Sequence, residues 1–274
     1  MSGIELTLRH PYAGILDASA FLPERLFSLS TAAIEQIEVD VGGQKEALGH
    51  FFSVSAIESD RLVIQGPVMN SCRWGAEMSC GRLIVECDVG DEVGLGLRGG
   101  TIEIRGNVGS HLGCGMRHGS ITVSGNAGDY VGAPSLGQRR GMRGGIITIE
   151  GNVGQRAGDC MRRGTIIVHG DAGDYLAARM IAGTIAVCGR IGKQAGALMR
   201  RGTVWAPQLQ PASIVSSFSS GQRVQIPHLA LWYRWLASID TRFSHWAHAE
   251  TYAHRWLGDA AVQGLGEFLS PMAA

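Results

Sequence analysis

The sequence predicts a mainly β protein: a right-handed single-stranded β-helix with an N-terminal entry region and a helical C-terminal tail. Three observations predict this fold: a repeat of nineteen residues, glycines at fixed places within it, and two aliphatic positions that alternate at its start. Self-similarity at a fixed period of this length is typical of solenoid proteins. The chain has 40 glycines in 274 residues, about twice the usual share of roughly 7%, and the repeat accounts for this excess.

The repeat extends over about seven turns and predicts one short strand in each. The turns are 61–81, 82–100, 101–119, 120–145, 146–164, 165–183 and 184–202, and a partial eighth begins at Thr203. Ile102 and Ile104 show the alternation that opens each turn, which is typical of a strand with one buried face. We therefore predict an entry or capping region over 1–60, the β-helix over 61–207 and the tail over 208–274.

Glycines recur in two columns after each strand, and we predict that they serve the backbone. Their members are Gly106, Gly109, Gly125, Gly128, Gly151, Gly154, Gly170, Gly173, Gly189 and Gly192. The corners of such a coil require positive φ angles and close contact between turns, and glycine suits both. A dinucleotide-binding fingerprint at Gly94, Gly96 and Gly99 is disfavoured, because a strand follows it where a helix is required.

Two further columns fit the interior and the corners of the coil. One contains methionines, which we expect to fill the core rather than to bind a soft metal: Met78, Met116, Met142, Met161, Met180 and Met199. The other contains asparagine or aspartate, which we expect to form corner hydrogen bonds: Asp88, Asn107, Asn126, Asn152 and Asp171.

A column of arginines directly follows the methionine column and is a candidate partner interface. Its members are Arg98, Arg117, Arg143, Arg162 and Arg200, and the turn at Ile181 lacks a charge at this place. Turn 120–145 also carries seven extra residues, with Arg139 and Arg140 among or beside them, and insertions in repeats map to loops on one face. Stacked like charges repel, so we expect a compensating anion: carboxylates of this chain or an acidic partner surface.

The tail predicts an amphipathic helix, or two consecutive helices. Apolar residues recur at spacings of three and four at Leu229, Trp232, Leu236, Ile239, Phe243, Trp246, Ala253 and Leu257. Tyr233, Trp235, Tyr252 and Trp256 add aromatic surface beyond that stripe. Two interpretations remain open. The helix caps the open end of the coil, or its tryptophans (Trp232, Trp235, Trp246 and Trp256) form a partner interface.

Composition argues against several classes of partner. Lys and Arg balance Asp and Glu at 24 each, so we expect no general attraction to nucleic acid. No apolar run reaches the length of a membrane span, about 18 residues or more, and the first residues lack the layout of a secretion signal. The six cysteines form no CxxC pair and predict reduced, packed thiols of a cytoplasmic protein.

A histidine cluster in the tail is the candidate metal site. It comprises His245, His248, Glu250 and His254, and on a helix the first two would share a face. Zinc sites usually carry tighter signatures, so solvated or interface histidines are favoured. No Ser/His/Asp or Cys/His grouping is marked by a local motif. We therefore predict no catalytic, cofactor-binding or metal-binding residue in this chain.

The repeat resembles that of a known family. Turns of the form GNVGxxxGxxMRRGTIxVxG, seen at 151–170, are similar to those in two groups of proteins. One is the C-terminal domain of the glutamate synthase large subunit. The other is the C subunit of formylmethanofuran dehydrogenase and of the bacterial formyltransferase/hydrolase complex. The segment VGGQKEALGHFFSVSA at 41–56 resembles the entry segment of the C subunits and favours the second group.

The resemblance implies a structural role within a complex. In such complexes the hydrolytic metal site lies on the A subunit, formyl transfer on the D subunit, and molybdopterin or tungstopterin, where present, on the B subunit. The C subunit resembles a scaffold. The resemblance implies a complex that passes a formyl group from formyl-tetrahydromethanopterin to a methanofuran-type carrier and releases formate. The glutamate-rich tail of such a carrier is then a further candidate anion for the arginine column. The alternatives are a molybdenum or tungsten formylmethanofuran dehydrogenase subunit and a glutamate-synthase-like domain.

Overall fold

The computed structural model describes residues 3–248 and 251–271, which form a mainly β fold, as the sequence predicts. The first strands are β1 (Gly3–Leu8), β2 (Leu16–Asp17), β3 (Glu38–Val41), β4 (Gln44–Ala47), β5 (Phe52–Ile57), β6 (Arg61–Gln65) and β7 (Ser71–Cys72). They are followed by β8 (Arg82–Val85), β9 (Thr101–Ile104), β10 (Ser120–Val123), β11 (Arg143–Ile149), β12 (Arg163–Val168), β13 (Thr184–Val187), β14 (Thr203–Trp205), β15 (Gln222–Gln225), β16 (Tyr252–Leu257) and β17 (Glu267–Pro271).

Helices are short and lie outside the repeat. The α-helices are α1 (Pro23–Leu26), α2 (Thr31–Glu35), α3 (Leu48–Phe51) and α4 (Leu229–Ile239). Segments of 3-10 helix occupy Pro211–Ser213, Thr241–His248 and Ala260–Val262. Within the described residues, no helix combines the length and the apolar character that crossing a membrane requires.

Successive turns of the repeat pair in parallel and in register. Strands β6 and β8 to β14 are consecutive neighbours in one 13-stranded sheet. In the central turns the paired residues are Ile102, Ile121, Ile147, Ile166 and Ile185, one from each strand. A second line of parallel bridges joins Val89, Val108, Ala127, Val153, Ala172 and Ile191 at the next side of each turn. The chain therefore returns to equivalent positions once per repeat, with the longer turn 120–145 kept in register.

The interior of the stacked turns is filled by the strand residues and the methionine column. Ile102, Ile104 and their equivalents in the neighbouring strands have no solvent exposure. All six methionines of the column are also fully buried and belong to the main core cluster. The expectation that they fill the core is confirmed, and their unbranched side chains suit the irregular space between corners.

The Asn/Asp column forms a ladder of hydrogen bonds between turns. The Oδ1 atom of Asn107 accepts the backbone N–H of Asn126 at 2.8 Å, and Oδ1 of Asn126 accepts that of Asn152 at 2.8 Å. The same contact joins Asp88 to Asn107, Asn152 to Asp171 and Asp171 to Arg190. The predicted corner hydrogen bonds are therefore present. They satisfy the backbone of the next turn rather than that of the residue's own turn.

The first glycine column makes room for these oxygens, and the second lies equally close to the backbone of the preceding turn. A Cβ atom on Gly125 would lie 2.6 Å from Oδ1 of Asn107 and 2.7 Å from the Gly106 carbonyl oxygen. Gly125 does not adopt a left-handed φ, so close approach rather than backbone freedom requires glycine here. The third glycine of the turn differs, because Gly113 has a φ of +62° and needs the left-handed conformation. The two columns thus serve the backbone through close approach between turns, and the third glycine serves it through its left-handed conformation.

The N-terminal region extends the sheet past the first turn. Strand β1 pairs in parallel with β6 and antiparallel with β5, so β5 lies at one edge of the 13-stranded sheet. A separate four-stranded sheet has the order β4-β3-β2-β7. Phe21 packs against Phe52 and Trp74 with ring centroids 5.6 and 5.0 Å away. These fully buried rings tie the entry region to the first turns.

The C-terminal tail is only partly helical, which corrects the predicted helical tail. The apolar stripe follows α4 and the 3-10 segment as far as Trp246, but Ala253 and Leu257 belong to strand β16. Strand β17 pairs in parallel with β14 and antiparallel with β16, which pairs with β15. The last turn would otherwise expose the unpaired edge of β14, and strand pairing at this edge overrides the helical spacing in the sequence.

Helix α4 packs on the outer face of the sheet rather than over the end of the coil. A second apolar cluster joins strand residues that point outwards with residues of α4 and the 3-10 segment: Ile167, Ala186, Trp205, Leu229, Tyr233, Leu236 and Phe243. The Trp205 ring is fully buried at its centre. The interpretation that the helix caps the open end is therefore wrong in detail, because β17 and its Phe268 close that end instead.

A charged network fixes the tail beside this cluster. Asp240 accepts hydrogen bonds from Arg242, and its Oδ2 lies 2.7 Å from Nε2 of His169. Arg242 also donates to Glu150, at 2.7 Å for one of the two contacts. Burial of Asp240 raises its pKa, but the hydrogen bonds from Arg242 and the proximity of His169 outweigh this effect and lower the pKa to about 2. Glu150 and His169 follow β11 and β12, so the network connects strand ends to the tail.

We predict that Gly125→Ala destabilises the chain. The added methyl group would collide with Asn107 and with the backbone of the preceding turn, at an expected cost of about 1–3 kcal/mol in the free energy of unfolding. Urea unfolding followed by circular dichroism would measure it. Ser124→Ala is the matched control because Ser124 is exposed and adjacent. Equal stability of the two variants would contradict the close-approach explanation.

We predict that Asp240 contributes acid-sensitive stability. The folded pKa lies below the ordinary value of 3.8, so the contribution is complete above that pH and disappears as pH falls towards 2. Asp240→Asn should lower the free energy of unfolding at pH 7 by on the order of 2 kcal/mol and by progressively less below pH 4. Asp60→Asn, at an exposed carboxylate, is the control. A loss that is the same at pH 3 and pH 7 would refute this account.

Candidate partner interface

The arginine column lies on the outside of the corner whose inside is the methionine column. The backbone N–H of Arg162 donates to the Met142 carbonyl at 2.8 Å, and that of Arg200 donates to the Met180 carbonyl at 2.8 Å. The same inter-turn contact is made by Arg98, Arg117 and Arg143. The register predicted for the column is therefore present, with buried methionines and arginines at or near the surface.

Carboxylates of this chain neutralise little of the column. Arg98 donates to Glu77 at 2.6 Å in an exposed ion pair. Among the described residues, no carboxylate lies within 4.0 Å of the guanidinium groups of Arg117, Arg143, Arg162 or Arg200. Arg143 is partly buried, and its Nε atom has no hydrogen-bond partner in the described part of the chain. Within residues 3–248 and 251–271, pairing with carboxylates thus accounts for Arg98 alone in this column.

The inserted loop adds two further arginines to this edge. The loop closes where the Met142 N–H donates to the Gly132 carbonyl at 2.8 Å, and Gly141 donates to Cys160 in the next turn at 3.0 Å. Arg139 and Arg140 are exposed on it. The loop therefore projects from a core that keeps its register.

Five arginines surround one cavity of about 590 Å³, which we call the arginine cavity. Its walls are formed by Arg139, Arg140, Arg162, Arg179 and Arg200 together with Cys160, Ile181, Leu198 and Val262. No carboxylate is among these lining residues. The chain as a whole has a formal charge of zero, so this cavity concentrates positive charge locally. Carboxylates pair well with the planar fork of a guanidinium group, so an anionic group of a partner fits this cavity.

Arg179 is the functional candidate that sequence reasoning missed. It precedes the methionine column rather than following it, and it supplies a guanidinium where the arginine column has Ile181. Its Nε donates to Oδ1 of Asp159 at 2.9 Å, and this hydrogen bond raises the pKa of Arg179. Asp159 is buried and also lies 3.8 Å from Arg156. The sequence did contain a signal for it, because Arg179 stands two residues before Ile181, where the column has no charge.

A second, smaller cavity lies on the other side of the loop. It measures about 200 Å³ and contains Arg117, Arg140 and Arg143 together with Glu77. Arg140 lines both this cavity and the arginine cavity. The two cavities therefore bring together Arg117, Arg139, Arg140, Arg143, Arg162 and Arg200 from the predicted interface, while Arg98 is held by Glu77.

The four candidate tryptophans have different environments. Trp232 and Trp246 are partly buried, with ring centroids 5.7 and 5.3 Å from Trp205. Trp256 is buried in the main core cluster, so it does not add the aromatic surface predicted for it. Trp235 remains 40% exposed on α4. Of the predicted aromatic interface, Trp235 is therefore the member that this chain leaves most open.

The predicted histidine cluster is only partly visible. His245 lies in the 3-10 segment, where its Nδ1 is 2.8 Å from the Arg242 carbonyl oxygen. His254 is exposed on β16, its ring 6.2 Å from that of Trp256. Glu250 and the side chain of His248 lie outside the described residues. Among the side chains that the structure describes, no three from His, Cys, Asp or Glu lie together in a way that could hold a metal ion.

Burial makes the cysteine thiols poor thiolates. It raises the pKa of Cys114 to about 12 and that of Cys188 to about 11. Cys160, in the wall of the arginine cavity, also has a raised pKa, through burial first and the charge of Asp159 second. A nucleophilic or metal-ligating cysteine requires a lowered pKa, so these environments favour packing.

The stacked glycine-repeat turns define a β repeat protein with a basic edge. No protein-family model matches the chain. It is 36% identical over 101 residues to the C subunit of the tungsten-containing formylmethanofuran dehydrogenase 2 of Methanothermobacter marburgensis, and 37% identical over 101 residues to that of Methanothermobacter wolfeii. Each match covers 35% of this chain and spans only 37% of the length of the relative.

A solved structure matches over nearly the whole chain. It belongs to the formyltransferase/hydrolase complex (FhcABCD) from Methylorubrum extorquens, determined in complex with methylofuran. The match has a TM-score of 0.89 and 31% identity, and covers 98% of this chain and 100% of the matched chain. The chain belongs to the family of the C subunits of formylmethanofuran dehydrogenase and the formyltransferase/hydrolase complex.

We predict that repulsion between the arginines around the arginine cavity lowers the free energy of unfolding of the isolated chain at low salt. Arg162→Gln/Arg200→Gln removes two like charges and should raise the free energy of unfolding by a few tenths to about 1 kcal/mol at low ionic strength. The gain should shrink in high salt, because exposed charges are then screened.

Arg163→Gln/Arg201→Gln is the matched control for this pair. It removes the same charge from exposed neighbours in sequence that do not line the cavity, and should change stability less. Urea unfolding at two salt concentrations measures both pairs. A cavity pair that is less stable than wild type at low salt would mean that the arginines are paired within the chain.

Proposed function

We propose that this chain is the non-catalytic C subunit of a formyltransferase/hydrolase complex in one-carbon metabolism. The complex would transfer a formyl group from formyl-tetrahydromethanopterin to a methanofuran-type carrier and release formate. The observation that carries the proposal is the structural match over 98% of this chain to a chain of such a complex. In this proposal the A, B and D type subunits hold the metal and the reacting carrier, and this chain positions them.

The internal use of polar groups supports a structural role. The Asn/Asp column is committed to the backbone of neighbouring turns, as Asn107 and Asn126 illustrate. The buried carboxylate of Asp159 is engaged by Arg179, and the thiols of Cys114 and Cys188 have raised pKa values. These groups hold the fold together and are poorly suited to act as nucleophiles or bases.

The architecture we propose is the right-handed single-stranded β-helix over 61–207, flanked by the entry region over 1–60 and the tail over 208–274. The in-register parallel pairing of successive turns supports a helical coil. Crossovers between parallel strands of one sheet are right-handed in about 98% of cases, which supports the handedness. The flanking regions add strands to both ends of the same sheet and would protect its edges.

The arginine cavity and the smaller cavity beside it are the proposed docking place for an anion of the complex. An acidic surface of a partner subunit fits them, because arginine is enriched at interfaces and pairs bidentately with carboxylates. The glutamate-rich tail of a methanofuran-type carrier offers the same chemistry, and the structural relative was solved with methylofuran. Trp235, exposed on α4, is a second proposed contact on another surface.

The alternative function is that of a C subunit in a molybdenum or tungsten formylmethanofuran dehydrogenase. The identity of 36–37% to two tungsten-containing dehydrogenase subunits favours it, although over 101 residues only. The two functions differ in the metal and pterin content of the partners, and not in the fold of this chain.

We predict that the chain works only as part of a complex. Produced with the other subunits of its complex, an affinity-tagged chain should copurify with them in fixed stoichiometry. Supplied with a methanofuran-type carrier and water, the assembly should release formate from formyl-tetrahydromethanopterin. The chain alone should fold but show no turnover. Turnover by the isolated chain would contradict the non-catalytic role. Tungsten or molybdenum in the purified assembly, found by elemental analysis, would favour the dehydrogenase.

A further inference from the structure

The inserted loop contains a tight turn whose outermost residue, Leu136, is apolar. Leu136 is 93% exposed, more than any other large hydrophobic residue among those described. The Gln138 N–H donates to the Ser135 carbonyl at 2.9 Å, and Gly137 has a φ of +78°, as the third residue of a type II turn does. Pro134 restricts the chain before the turn. The leucine is therefore held outwards by an ordered turn rather than left at random on a long loop.

The turn forms a ridge between two cavities of the basic edge. On one side lies a cavity of about 570 Å³ that includes Tyr130 and Arg179, and on the other lies the cavity of about 200 Å³ that includes Arg117. Ser135 and Gln138 line both of them. A partner that reaches these cavities from outside must therefore meet the tip of the ridge.

We propose that Leu136 is the apolar anchor of a protein–protein contact. It would insert into an apolar pocket of a partner subunit whose rim carries carboxylates, and those carboxylates would pair with Arg139 and Arg140. The partner is another polypeptide of the complex, so this inference rests on the proposed function. It adds to that function a specific contact residue and the chemistry of the surface that receives it.

The composition of the ridge favours this kind of partner. An apolar side chain surrounded by charged groups matches the usual anatomy of an interface, in which a buried anchor is encircled by a polar rim. The guanidinium groups of Arg139 and Arg140 are exposed and would attract carboxylates of a partner. Since the turn is ordered before binding, little conformational freedom would be lost when Leu136 is buried.

The test measures dissociation of the assembled complex on dilution, at low and at high salt. Leu136→Ser should raise the concentration of half-dissociation about tenfold or more at both salt concentrations, because burial of an apolar side chain is not screened by ions. Arg139→Gln/Arg140→Gln should weaken assembly at low salt and approach wild type at high salt. Met69→Ser, at a residue 65% exposed in an early turn, should behave as wild type.

The measurements separate loss of the Leu136 contact from misfolding and from a failure of the proposed function. Leu136→Ser should unfold at the same urea concentration as wild type because the side chain is 93% exposed, so weakened assembly would not reflect misfolding. If Leu136→Ser dissociates at the same concentration as wild type and Met69→Ser, Leu136 is not an anchor, although the proposed function stands. If the wild-type chain forms no complex with the other subunits, the proposed function fails and the anchor fails with it.

Discussion

The structure depends on the vertical contact between one turn and the next at the corner after each strand. There an asparagine or aspartate oxygen accepts the backbone N–H of the same column one turn later, as Asn107 does for Asn126 at 2.8 Å. The contact leaves no space for a Cβ on Gly125, which abuts that oxygen. A one-residue slip would bring a side chain against the oxygen and turn the buried strand residues outwards. The corner therefore fixes the register, and the register aligns the columns of methionine and arginine.

The flanking regions follow from the consequences of stacking. A stack of parallel strands leaves unpaired N–H and C=O groups at both ends, and these are templates for unwanted pairing. Here β1 and β5 continue the sheet at one end and β15 to β17 at the other. The last turns also carry apolar residues on the outer face of the sheet, and α4 packs over them around Trp205. The Asp240 network then holds the tail by charge as well as by packing.

Much of the repeat could be predicted from the sequence, because each column has one physical task and repeats it. The mainly β fold, the buried methionines and the corner hydrogen bonds are all as predicted. The tail could not be predicted equally well. Ala253 and Leu257 continue a helical spacing, but they lie in a strand because a distant edge needs a partner. Arg179 was missed because its guanidinium reaches the cavity from another column, which a comparison by column does not reveal.

The basic edge differs from the rest of the repeat in how few contacts its charged side chains make within the chain. The Asn/Asp column contributes contacts within the fold, whereas the arginine column contributes few: Arg98 has a carboxylate partner and Arg162 and Arg200 have none in the described part of the chain. Clustered like charges are destabilising, and a chain with zero net formal charge has carboxylates that it could have placed here. An edge that keeps this charge unneutralised is where, in the proposed function, an outside anion would bind. In the function proposed above, the position of this edge, rather than a catalytic group, is what the chain would contribute to its complex.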